Sequence, residues 1–550
     1  MRLIERRIGL LFGCFLLCFL VIIGRAFWLQ GVQGAQLSSE AAFQQTQTLV
    51  VPGLRGSLLD RRGNKLASSE DAATIFATPY QVKDPPQAAA KLAPILEESR
   101  GEVLEALTEE SGFSYLAHRV DLQTAARIER LGLEGIGQSP DSRRTYPQGD
   151  MAGQVIGAVG SENQGLTGLE AGEESALHGE DGEQRVVNDA LGDPIRLETA
   201  KEASDGEDVE LTLDPVIQQK TEQVLAQVGE TYTPKGATAV VVDPRDSQIL
   251  AMANWPPVDP ADLSDASSED LLNKATGFTY EPGSTFKAFT VSAALQEKEI
   301  TPETAFTLPP ALQVADRTIE DAEPRGTETM TVAQILARSS NIGAVTIGLG
   351  LGAEKFSRWI DRFGFGRPTG VQFPAEERGI VPPLDQYSGS TMGNLPMGQG
   401  LSVTPIQMIA GYTAIADGGI LKPPQLIKRI GEERIEEPKG HRVIRADVAS
   451  QVREMLEGVL APGGTASEVE VPGYTLAGKT GTAQVAENGT YSETNYVASF
   501  IGFAPAQNPQ LLAAVIVDEP RGEIYGGSVA APAFGQIAEF ALPYLGVPQE

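Results

Sequence analysis

The stretch FTYEPGSTFKAFTVSAAL, residues 278–295, decides how this chain is read. Glu281 precedes Pro282 and is thereby kept out of the helical region. Gly283 permits close backbone approach, and a helix is predicted to begin at or next to Ser284. Serine is a preferred helix N-cap, and taken alone the stretch reads that way. The spacing adds something that a cap does not need. Lys287 lies three residues on, beside Ser284 on one helical face. The residues that follow are mostly apolar or small, so the helix is predicted to be buried. Burial lowers an ammonium pKa from about 10.4, and the positive end of a helix lowers it further. A neutral lysine can take a serine proton, replacing the histidine of the familiar triad.

Two further stretches favour the nucleophile over the cap. LARSSNIGAV, residues 336–345, places Ser339 and Asn341 in a break between two helical segments. LAGKTGTAQV, residues 476–485, places Lys479, Thr480, Gly481 and Thr482 in a predicted strand. An S-x-x-K alone is weak, because a chain this long yields one by chance. S-x-x-K, S-x-N and K-T-G in this order form a strong signal. Around them, DVELTLDPVIQQKTEQVLAQV (208–228) reads as a strand and an amphipathic helix. GATAVVVDPRDSQILAMANWP (236–256) reads as a hairpin with strands near 237–243 and 248–253. Three more strands are read in TLAGKTGTAQV, YVASFIGFAP and LLAAVIVDEP, with a mostly helical stretch before them. Strands at both ends and helices between predict an α+β domain, an antiparallel sheet packed by helices, beginning near residue 206.

The composition of the 550 residues is that of a globular protein, with 41% hydrophobic and 21% charged residues. A net charge of −30 and the lack of any long basic run make nucleic acid a poor partner. The two cysteines, Cys14 and Cys18, lie in an apolar run, so no disulfide framework is available elsewhere. His118, His178 and His441 form no paired metal-binding pattern, and neither metal nor cofactor is expected. Residues 8–28 are predicted to be a transmembrane anchor, with Phe27 and Trp28 at an interface. Arg2, Arg6 and Arg7 outweigh Glu5 in the short tail 1–7, which the positive-inside rule places in the cytoplasm, with the rest outside. Residues 29–205 begin with a polar stalk and a strand. RGSLLDRRGNKLA (55–67) then reads as a strand–turn–strand, residues 85–135 as helical, and 140–200 as Gly-rich with short strand signals. No pocket motif appears there, and a spacer or docking module is expected.

With the three motifs in place, the sequence resembles the class B, membrane-anchored penicillin-binding proteins over nearly its whole length. RGSLLDRRGNKLA, RTYPQGDMAGQVIGAVG (144–160) and GLTGLE resemble the family's pedestal region. GNLPMGQGLSVTPIQMIAGYTAIADGG (393–419) and YGGSVAAPAFGQI (525–537) resemble its catalytic domain. No glycosyltransferase domain or wall-binding repeat is read in the sequence. The resemblance implies a transpeptidase fold over 206–550 on an elongated, non-catalytic pedestal of the dimerisation type over 29–205. It implies a peptidoglycan stem peptide as substrate, β-lactams as inhibitors, and a polytopic glycosyltransferase and divisome membrane proteins as partners. It assigns Ser284 as nucleophile, Lys287 as base, Ser339 and Lys479 as a proton relay, and Asn341 as the residue orienting Lys287. Thr480, Gly481 and Thr482 are assigned to substrate binding. YEPGSTFK and SSN are similar to the septal members, whereas elongation members tend to carry a second proline before Gly-Ser and an aspartate in the second motif. An elongation enzyme, a D,D-carboxypeptidase and a β-lactam sensor would use the same active site.

Overall fold

A computed structural model describes residues 2–34, 46–188, 194–487 and 489–550. The polar stalk expected after the anchor falls largely on residues 35–45, outside the described residues. The N-terminal helix Arg2–Phe27 runs on into a π-helical turn, Trp28–Val32. Its apolar part, Ile4–Val32, covers 29 residues and is long enough to cross a bilayer. Among the described residues it is the one helix of that kind.

The chain divides into two compact units. The first comprises residues 1–54, 70–143 and 179–206. Its core gathers Ile75, Leu92, Val103, Leu107 and Ile128 from a strand and three helices, Pro85–Leu96, Arg100–Thr108 and Leu122–Glu129. The helical reading of 85–135 needs one correction, because Ser114–Asp121 is a strand. It pairs antiparallel with residues 72–77, so a tertiary partner overrides the local helical pattern. Thr46–Val51, Gly182–Asn188 and Pro194–Lys201 form a separate three-stranded sheet.

The second unit comprises residues 55–69, 144–178 and 207–550. Residues 55–69 and 144–178, which the sequence reading placed in the 29–205 domain, therefore pack with the catalytic segment. Five antiparallel strands form its central sheet: β1 (Gly236–Val242), β2 (Ile249–Trp255), β3 (Ala477–Glu487), β4 (Thr490–Ala504) and β5 (Leu511–Asp518). Their order is β2-β1-β5-β4-β3, leaving β3 at an edge. Every residue of β1 and β5 is buried, which requires cover on both sheet faces. The main helices of this unit are α1 (Pro215–Tyr232), α2 (Lys287–Gln296), α3 (Asn341–Leu351), α4 (Pro405–Ala416), α5 (Ala446–Glu457) and α6 (Gly526–Tyr544), of which α1, α4 and α6 supply that cover. α1 and α6 pack on each other and on the sheet, while α4 meets β1 and β5. α2 packs between α3 and α5 and is buried along all but its last residue, as its apolar sequence requires. The expected α+β fold, an antiparallel sheet packed by helices, is the one observed.

Candidate active site

The nucleophile helix starts as a 3-10 turn, Gly283–Phe286, and continues as α2. No side-chain cap bond is made there, so Ser284 is not spent as an N-cap. Three contacts fix the turn. Gly283 N–H donates to Gly398 O at 3.0 Å, Thr285 Oγ1 donates to Pro282 O at 2.7 Å, and Tyr412 Oη donates to Thr285 O at 2.7 Å. The turn lies against β3. A Cβ on Gly481 would come within 3.1 Å of Pro282 O and 3.0 Å of Thr285 Cγ2. Gly481 thus keeps the strand and the turn in close contact.

Lys287 is 1% exposed. Its Nζ donates to Ser339 O at 2.6 Å and Asn341 Oδ1 at 2.7 Å, and lies 3.3 Å from Ser339 Oγ. Burial pushes its pKa down to about 7, against an opposing pull from the Asp321 carboxylate. Asn341 Nδ2 donates to Glu320 O at 2.9 Å, which fixes the side-chain amide with its oxygen toward the lysine. Ser339 adopts φ +58° in the break between Val332–Ala337 and α3. That left-handed residue turns its carbonyl and hydroxyl together onto Lys287.

On β3, Lys479 is fully buried and its pKa is held well down, by burial first and by the Lys287 charge second. Its Nζ lies 3.3 Å from both Thr480 O and Thr480 Oγ1. Thr480 is buried, with its hydroxyl 2.6 Å from Thr465 Oγ1. Thr482 is half-buried, and its Oγ1 accepts from Gly526 N–H at the start of α6, at 3.0 Å. The hydroxyl proton of Thr482 therefore remains available to a ligand.

A family model described as the penicillin binding protein transpeptidase domain matches residues 237–539, and one described as the penicillin-binding protein dimerisation domain matches 50–211. The chain belongs to the class B penicillin-binding proteins. It is 36% identical to stage V sporulation protein D of Bacillus subtilis, over 98% of this chain and 85% of that protein. It is 31% identical to peptidoglycan D,D-transpeptidase FtsI of Escherichia coli, over 97% and 91%. The crystal structure of penicillin binding protein 3 from Mycobacterium tuberculosis complexed with ampicillin superposes with a TM-score of 0.72 at 30% identity, covering 91% and 97%. The second unit of this class B protein is thus a transpeptidase domain.

The penicillin-binding fold brings Ser284, Lys287, Ser339, Asn341 and the Lys479–Thr482 strand into one neighbourhood, although they span about 200 residues of sequence. Among the described residues no hydrogen bond joins Ser284 Oγ to Lys287 Nζ, or Lys479 to Ser339. Two residues escape a reading by motif. Asp321 accepts from Ser340 Oγ, Ile342 N–H and Arg325 Nε (2.6 Å), and so fixes the Ser339–Asn341 turn. Glu281 accepts from Gly400 N–H at 3.0 Å and Tyr491 Oη at 3.2 Å, tying two loops to the start of β4 three residues before Ser284. Its other carboxylate oxygen is buried without a partner, and burial raises its pKa. The Glu-Pro-Gly-Ser sequence was the available signal for Glu281; nothing local distinguishes Asp321 from the other acids.

Proposed function

We propose that this protein is a serine D,D-transpeptidase that crosslinks peptidoglycan stem peptides through an acyl-enzyme on Ser284. The observation that carries the reading is the pair of short bonds at Lys287. A neutral amine has two N–H groups and one lone pair. Donation to Ser339 O and Asn341 Oδ1 uses both hydrogens and leaves the lone pair to accept the Ser284 proton. Ser284 Oγ then attacks the carbonyl between the two terminal D-Ala residues. The backbone N–H groups of Ser284 and Thr482 hold the oxyanion, each worth roughly 3 kcal/mol in the transition state. Ser339, supported by Lys479, passes a proton to the departing D-Ala nitrogen and is reprotonated by Lys287, whose Nζ lies 3.3 Å from its hydroxyl, so that the lysine is neutral again. An amine from a second stem peptide attacks the ester, forms the crosslinking amide and returns the proton to Ser284. Lys479 and the Thr482 hydroxyl take the substrate's terminal carboxylate, with Thr480 orienting the lysine. Gly481 lets the substrate lie along the β3 edge.

Penicillin treatment followed by mass spectrometry tests the nucleophile. One adduct on the wild type and none on Ser284→Ala is expected; label persisting in the variant rejects the assignment. Incubation with two stem peptides tests the reaction. Release of D-Ala without a crosslinked dimer would show a carboxypeptidase instead. Asn341 and the single proline before Gly283 support a septal role, and midcell recruitment of a fluorescent fusion is the check. The Arg-rich tail supports a cytoplasmic N-terminus and an extracytoplasmic catalytic unit. A polytopic glycosyltransferase and divisome membrane proteins are the proposed partners of the anchored chain.

A further inference from the structure

Away from Ser284, the second unit holds a cavity of about 300 Å³ lined by Arg245, Asp417, Gly418, Arg442, Ala446 and Arg453, among others. None of its lining residues belongs to the site around Ser284. Its electrostatics run against those of the whole chain, whose net charge is −30. The carboxylates around it lie in ion pairs, although Asp417 Oδ2, on the cavity wall, is buried and accepts no hydrogen bond. Asp417 pairs with Lys422 at 2.7 Å, Asp243 with Arg245 at 2.6 Å, and Asp447 with Arg445 at 3.0 Å. Among the described residues, Arg442 and Arg453 make no direct ion pair, although the Asp417 carboxylate, which lines the same cavity, acts on Arg453 from further off. Backbone carbonyls hold them instead. Arg442 Nη1 donates to Gly418 O at 2.5 Å and Ile444 O at 3.2 Å, and Arg453 Nη1 donates to Ile415 O at 3.1 Å. Such bonds orient a guanidinium without neutralising it. Arg453 Nε is buried and has no partner. A buried donor without a partner is costly in a chain with so many acids to offer.

We propose that this cavity binds a phosphate group, free or carried on an ester. Two guanidiniums fixed by carbonyls present their remaining N–H groups from separate segments, with the first turn of α5 opening at Ala446 on the same cavity. Donors arriving from several directions suit the tetrahedral oxygens of phosphate. A planar carboxylate is satisfied by a single guanidinium fork. The α5 N-terminus adds a favourable dipole for an anion. A volume of about 300 Å³ is roughly ten water volumes, which leaves room beside the phosphate for a small esterified group.

The test titrates the full chain in detergent with sodium phosphate, sn-glycerol 3-phosphate and glutarate, at ionic strength held constant with sodium chloride. Calorimetry and phosphorus NMR are the readouts. Saturable one-to-one phosphate binding is expected, at least tenfold tighter than glutarate. Arg442→Gln and Arg453→Gln should each weaken it tenfold or more, and Arg521→Gln, outside the cavity, should not. Binding of both phosphates assigns the site to esters as well, and binding of inorganic phosphate alone assigns it to the free ion. Labelling of Ser284 by fluorescent penicillin reports folding. Should Arg453→Gln fail to label, the exposed Arg442→Gln decides the matter. Lack of saturable phosphate binding, glutarate binding as tightly, or unchanged affinity in the folded variants overturns the proposal.

Discussion

Lys287 is the residue on which the chemistry turns, and its charge state sets a pH dependence. Held near pKa 7 by burial, it is mostly protonated at pH 6 and mostly neutral at pH 8. A base must be neutral to accept the serine proton. The rate of acylation by penicillin should therefore rise about tenfold between pH 6 and 8 and level off above. A flat profile across that range would remove Lys287 as the base. Asn341→Asp sharpens the test. It places a negative charge where Oδ1 now sits, 2.7 Å from the ammonium. An adjacent opposite charge favours the protonated form, so the midpoint should move up by about one to three pH units. Stopped-flow acylation of both proteins gives the two midpoints; an unchanged midpoint would mean that Asn341 does not govern the lysine. Ser284, Lys287, Asn341 and Lys479 were legible because each sits in a short motif of fixed spacing. Asp321 was not. Its hold on Ser340 reaches across 19 residues, and its own segment carries no pattern that a lone acid among 73 Asp and Glu would stand out from.

Between elements, the site depends on glycines that let backbones touch. Gly398 adopts φ +84°, and a Cβ there would lie 2.0 Å from Gly283 O, in the turn that carries Ser284. Gly398→Ala combines a left-handed backbone with a clash, so it should displace the nucleophile turn as well as destabilise the fold by about 1–3 kcal/mol. The acylation rate should fall at least tenfold. Gly463→Ala separates the two effects, since Gly463 has φ +86° but open space around its Cα. It should lower the melting temperature and leave acylation unchanged. Equal acylation in the two variants would mean that the Gly398–Gly283 contact does not position Ser284. The five strands of the central sheet and the helix that precedes them were legible from alternation, apolar runs and turn residues, whereas four short strands between Ala305 and Thr331 fall within the stretch read as mostly helical. The packing of the loop around Gly398 onto the nucleophile turn was not, because 115 residues separate the two glycines and no periodicity links them.

At the scale of the molecule, the catalytic unit is assembled from three separated segments, and a linear reading naturally draws one boundary near residue 206. Residues 55–69 read locally as a hairpin, and nothing in them announces their partner. Leu58 and Leu59 pair in parallel with Val209 and Glu210, adding a strand next to the one that opens the catalytic segment. Arg55 and Arg144 share the buried Glu170, at 2.5 and 2.7 Å, so that residues 55, 144 and 170 are locked together inside this unit. Leu58, Val155, Ile156, Leu169 and Leu177 are fully buried in the same core as the central sheet. A truncation beginning at Glu207 loses all of them. At about 1.5–3 kcal/mol for each buried side chain, the loss is about 8–15 kcal/mol, as large as the whole stability of a typical domain, about 5–15 kcal/mol. The 207–550 fragment should therefore show no cooperative thermal transition and take no penicillin label, although it contains every residue assigned to the reaction. The 46–550 fragment should melt cooperatively and label at Ser284. Differential scanning calorimetry and fluorescent penicillin on the two fragments make the comparison. A cooperative transition of 207–550 within about 5 °C of the longer fragment, equivalent to roughly 4 kcal/mol or less for a unit of this size, would show that residues 55–69 and 144–178 are dispensable to the catalytic core.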